Sequence, residues 1–134
     1  MQKSASRTSD ALESFRRVRG DQLVERFYQI FLDSDEQVRD LFARTDLAQQ
    51  KLMLHHGLFM LLRFACGDAV GSLALKRLGH RHVELGVPAP LYKNFVECLV
   101  QAASELDSNW SARLEQSWRA NLEIGIAEMA RYAE

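Results

Sequence analysis

A chain of 134 residues with 17 basic and 18 acidic side chains and 47% hydrophobic residues is sized for one domain with a real core. Its net charge of −1 argues against nucleic-acid binding, which needs a basic surplus, and no apolar run reaches the ~18 residues of a membrane span. The first ten residues hold no apolar stretch of the signal-peptide kind, and Cys66 and Cys98 lie far apart in apolar windows, so a cytoplasmic protein with buried, reduced thiols is expected.

The pattern is helical throughout, with Pro88 and Pro90 as the only prolines and no sustained two-residue alternation. Residues 1–8 are expected to fray. Ser9 or Asp10 caps a first helix carrying Leu12, Phe15 and Val18, which Gly20 breaks. Asp21 caps a second, with Leu23, Val24, Phe27, Tyr28, Ile30 and Phe31 facing inward. Ser34 caps a short helix from Asp35 to Leu41, followed by Phe42 and a loop. Thr45 or Asp46 caps a long helix from Leu47 to Phe64, striped by Leu47, Gln50, Leu54, Leu58 and Leu61. Small residues from Ala65 to Gly71 lead into a helix from Ser72 to Glu84. A further helix runs from Pro90 to Leu106 with Tyr92, Phe95, Val96, Leu99 and Val100 buried. Ser108 or Ser111 caps the last, striped by Leu114, Trp118, Leu122, Gly125, Ile126 and Met129. The expected fold class is all-α: one domain over residues 1–134 with about seven helices, monomeric or weakly dimeric.

Four histidines could carry chemistry: His55, His56, His80 and His82. His82 lies seven and four residues after Leu75 and Leu78, so an imidazole shares a face with two leucines. That is the setting of a core histidine with a polar partner, or of an axial ligand to a flat apolar cofactor. His80 lies ~200° around the helix, beside Lys76 and Arg77, and is expected at the surface. His55 is expected to pack between helices, with His56 more exposed. Neither adjacent pair converges as a zinc site requires, and no phosphate loop or nucleophile elbow is present. Three more residues stand out. Tyr28 is a phenol on a core face, Gln50 an amide on an inner stripe, and Phe42 an aromatic opening a loop. With His82 they fit one planar apolar group held between helices.

These residues make the chain resemble the globin family, in particular bacterial single-domain haemoglobins related to the globin domain of flavohaemoglobins. The resemblance rests on Phe27-Tyr28-x-x-Phe31, Leu41-Phe42, Thr45-Asp46 with Gln50 and Leu54, Leu78-Gly79-x-x-His82, Leu85-Gly86-Val87, Tyr92 and Trp118, and covers about Asp10 to Arg131. It implies a globin fold around haem b, with His82 ligating the iron. Phe42 would stack on the porphyrin, Leu54 would sit over the iron, and Leu75, Leu78, Val87, Tyr92, Phe95 and Leu99 would line the pocket. Tyr28 and Gln50 would be the distal pair and the only candidates for a catalytic role, donating hydrogen bonds to O2 and other diatomic ligands such as NO or CO. Two charge-assisted bonds imply slow O2 release, suited to scavenging, sensing or NO dioxygenation rather than bulk oxygen transport.

Two points of register stay open. Gln49 is adjacent to Gln50, and choosing it would put Met53 over the iron; His55 or His56 could come round as a sixth ligand. Flavohaemoglobins support the proximal histidine with a tyrosine and a glutamate. Tyr92 matches the first, while Arg131-Tyr132-Ala133-Glu134 offers no acid in register for the second. The chain ends without a reductase domain, so turnover would need a separate reductase. The readings are therefore a haem protein handling O2 or NO, a haem-based gas or redox sensor, and a haem-free globin-like interaction module.

Overall fold

The structure, a computed structural model, describes residues 2–132 and consists there of seven helices and no strand. They are α1 (Gln2–Arg17), α2 (Gly20–Ser34), α3 (Glu36–Leu41), α4 (Leu47–Ala65), α5 (Val70–Leu85), α6 (Ala89–Leu106) and α7 (Ala112–Ala130). The backbone of α1 is helical from Gln2, well before the expected cap at Ser9 or Asp10. Nothing in Gln2–Arg17 breaks a helix, because the stretch has neither glycine nor proline.

Helix ends follow local chemistry, with two corrections. Arg19 turns the chain into α2 at φ 62°, and Asp21 falls inside the first turn instead of capping it. Asp35, not Ser34, caps α3 by accepting from the Gln37 amide at 2.8 Å. Ser34 ends α2, and its hydroxyl donates to the Phe31 carbonyl. Asp46 caps α4 through the Gln49 amide, and Ser111 caps α7 through that of Leu114. Gly86 stops α5 in the left-handed region at φ 67°, where glycine pays no Cβ penalty.

The helices cross in pairs, with α2 against α6, α1 against α7, and α4 against both α5 and α7. A buried polar chain locks one corner. Trp118, fully enclosed, donates its indole N–H to Ser14 Oγ at 3.0 Å. Ser14 Oγ donates to Asp107 Oδ2 at 2.6 Å, and the Arg17 guanidinium grips the same carboxylate with bonds of 3.0 and 2.7 Å. Burial alone would push the Asp107 carboxyl up. The hydrogen bonds from Arg17, Ser14 and the Asn109 amide outweigh it and hold the group below the ordinary carboxylate range. This corner fixes α1 and the end of α6 on α7, leaving α2, α4, α5, α6 and the C-terminal part of α7 to enclose a cavity.

Candidate functional site

The cavity measures about 260 Å³ and is lined almost wholly by apolar side chains. Aromatic packing shapes one wall. Phe27 stacks on Phe31 with centroids 4.8 Å apart, and Phe95 meets Phe27 edge-on at 5.1 Å. Phe42, just past the end of α3, stands edge-on to Tyr28 at 5.8 Å and to Phe31 at 6.1 Å. The aromatic that opens the loop is thus held by α2, in the edge-to-face geometry that ring quadrupoles favour.

Two polar pairs break this lining. The first is Tyr28 with Gln50. Tyr28 is only 3% exposed. Burial pushes its phenol up to about 12, and the hydrogen-bonding Gln50 side chain pulls weakly the other way. The hydroxyl therefore stays protonated, and a donor, at any physiological pH. Gln49 is exposed and outside the lining, whereas Gln50 lines the cavity. Leu54 and Met53 both line the cavity, so the choice between them was not exclusive.

The second pair is His82 with Tyr92. His82 Nδ1 lies 2.9 Å from the Tyr92 hydroxyl. Burial lowers the His82 pKa and raises that of Tyr92, so both groups are neutral near pH 7. In the tautomer that donates Nδ1–H to Tyr92, Nε2 carries a bare lone pair, as metal ligation by neutral imidazole requires. No carboxylate is hydrogen-bonded to Tyr92 among the described residues.

The remaining histidines are elsewhere. His80 is exposed, with its ring 6.0 Å from that of Tyr132. His55 packs on Phe15 at 5.3 Å, so close over Gly20 that a Cβ there would meet its Nε2 at 2.5 Å. His56 is exposed, and neither His55 nor His56 lines the cavity. One and two steps round the helix from Leu54 carry them to other faces. Among the described residues no group of three or more His, Cys, Asp or Glu side chains could hold a metal ion.

Of the other residues expected to line the pocket, Leu78, Val87 and Phe95 do so. Leu75 and Leu99 do not. Both are 0% exposed and enclosed in the helix core behind the lining, because the faces they share with His82 and Phe95 are wider than the cavity wall. The expectation missed Ile126 and Met129 of α7, which read as ordinary core stripe, and did not place Leu41 and Leu85, both exposed, in the lining. It also missed Arg81, the only Arg, Lys, Asp or Glu among the described residues that line the cavity.

Two comparisons bear on this site. A family model described as Globin matches residues 25–129. The fold is also similar to the crystal structure of protein PA3967 from Pseudomonas aeruginosa PAO1, described as structurally highly homologous to a human haemoglobin. The TM-score is 0.85 and the identity 30%, covering 95% of this chain and 98% of that one. No curated protein matches the chain.

Proposed function

Since the chain belongs to the globin family, we propose that it binds haem b through His82 and holds a diatomic gas against Tyr28 and Gln50. The observation that carries this reading is the pairing of two neutral polar couples, His82–Tyr92 and Tyr28–Gln50, within one largely apolar cavity. The residues fit the group. An apolar slot suits a porphyrin, a tautomer fixed by Tyr92 presents Nε2, and burial keeps the imidazole unprotonated. Neither Cys66 nor Cys98 lines the cavity, so neither thiol is placed to attach a haem. When bound, haem iron supplies the reversible coordination of O2, NO or CO.

The chain's own residues do the rest. Tyr92 orients the His82 ring and fixes its proton on Nδ1. Phe42 and Phe95 close the aromatic wall and exclude water. Tyr28 donates its hydroxyl hydrogen to the ligand, and Gln50 supports that hydroxyl or donates its own amide N–H. Two donors to a polarised ligand give high O2 affinity through slow release. The role that follows is O2 and NO handling. Its enzymatic form is the conversion of O2 and NO to nitrate, with reducing equivalents from a separate reductase.

Haem added to purified protein tests the reading. An intense Soret band is expected, with a five-coordinate ferrous form in the absence of gas. Absence of any Soret band after haem addition contradicts it. Nitrate formed from NO by the O2-loaded protein, with repeated turnover once a reductase is supplied, supports the enzymatic form.

A further inference from the structure

The helix that carries His82 is seated on its neighbours by glycines. Gly71, Leu75, Gly79 and His82 of α5 lie within about 80° of one another around the helix. The first three are buried. A Cβ on Gly79 would stand 2.5 Å from the carbonyl oxygen of Met129 and 3.2 Å from its carbonyl carbon. A Cβ on Gly71 would run into the carbonyl oxygen of Met60 on α4. The face presenting His82 therefore rests on main chain, not on side chains that could rotate aside. Met129 also lines the cavity with its side chain, so the residue that seats α5 borders the space into which His82 projects.

We infer that Gly79 is a positioning residue for His82, and that its backbone contact with Met129 sets how far the imidazole reaches into the cavity. The inference rests on the reading of His82 as the iron ligand. The magnitude follows from the contact. A methyl group at 2.5 Å must retreat by about 0.9 Å to reach an ordinary contact of 3.4 Å. The obstacle is a backbone carbonyl in the last turn of α7, which accepts from the Tyr132 amide and, unlike a side chain, does not rotate aside cheaply. His82 lies three residues on, less than one turn, and is carried outward with the helix. Ligand sites tolerate about 0.2 Å in bond length and about 0.5 Å in placement, so the shift exceeds both. Tyr92 is on α6 and does not move with α5, so the 2.9 Å bond to Nδ1 is stretched by the same displacement.

Gly79→Ala in the haem-loaded protein tests this. The ferrous iron–histidine stretching frequency is expected to shift and haem loss to quicken by about tenfold to a hundredfold. A general structural loss would not require the frequency to move. A second pair of variants cuts the tether. His82→Gly and His82→Gly with Gly79→Ala, each reconstituted with haem and free imidazole, are expected to give the same frequency. An unchanged frequency in Gly79→Ala overturns the inference, and so does a shift that persists when imidazole is untethered.

If Gly79→Ala fails to fold, the wild-type protein still decides. In the diamagnetic CO form and in the haem-free form, a nuclear Overhauser contact between Gly79 Hα and the α7 backbone at Met129 is expected. Its loss on haem binding overturns the inference. Failure of the wild type to bind haem overturns the haem reading itself, whereas normal wild-type ligation with an indifferent Gly79→Ala overturns only the role of Gly79.

Discussion

Tyr28→Phe removes one hydroxyl and leaves its ring in place. The ring is held edge-on by Phe27 at 5.0 Å and by Phe42 at 5.8 Å, so the aromatic wall survives. What is lost is the hydroxyl proposed as donor to the gas, which is also the partner of Gln50. A hydrogen bond to a polarised ligand is worth about 1.5–3 kcal/mol, or roughly tenfold to a hundredfold in the rate of O2 release at 1.4 kcal/mol per decade. Loss of one ordinary bond to Gln50 costs the fold only about 1 kcal/mol. The assay is stopped-flow displacement of O2 by CO at 25 °C, with CO dissociation, which depends little on donors, as control. A phenol held at about 12 also fixes the pH dependence. Its folded pKa lies above the unfolded value near 10, so its contribution is fully present below pH ~10 and is lost as pH rises towards 12. The wild-type release rate is therefore flat from pH 6 to 10. An O2 release rate in Tyr28→Phe within twofold of wild type would refute the assignment of Tyr28 as donor.

Other outcomes follow from the same geometry. Asp107→Asn is expected to destabilise the protein by about 2–4 kcal/mol at pH 7, read by chemical denaturation, because it breaks a buried charge-assisted cluster with Arg17 and Ser14. The Asp107 pKa is depressed in the fold, so its contribution is present above pH ~4 and fades as pH falls below it. The stability advantage of wild type over Asp107→Asn should shrink in that range. The His82 pKa is lowered by burial, so the unfolded chain takes up the proton first and haem retention weakens as pH falls below about 6.5. A spectral titration should show the Soret band lost on that acid side and stable through pH 7–9. Tyr92→Phe leaves His82 Nδ1 without its partner; the iron–histidine frequency should shift while the haem remains bound.

Much of the fold was legible because its signals are local. The stripe through Gln50, Leu54, Leu58 and Leu61 repeats at helical spacing, Asp46 and Ser111 cap where a short acceptor must, and phase alone separates His82 from His80. The polar pairs were legible as residues out of place: a phenol and an amide on inner faces demand partners. The limits lie in what one helix cannot specify about another. Leu75 and Leu99 share faces with His82 and Phe95, yet their depth behind the wall depends on how closely helices approach. Ile126 and Met129 look like any core stripe until α7 is set against α5. The contact of Gly79 with Met129 is invisible in sequence, because it joins main chain to main chain across 50 positions.

The most direct test of the account is the ferrous spectrum of haem-reconstituted wild type, His82→Ala and His80→Ala. The account predicts a five-coordinate histidine-ligated form in wild type and His80→Ala, and loss of that signature in His82→Ala. Retention of the same iron–histidine band in His82→Ala, or its loss only in His80→Ala, would contradict it.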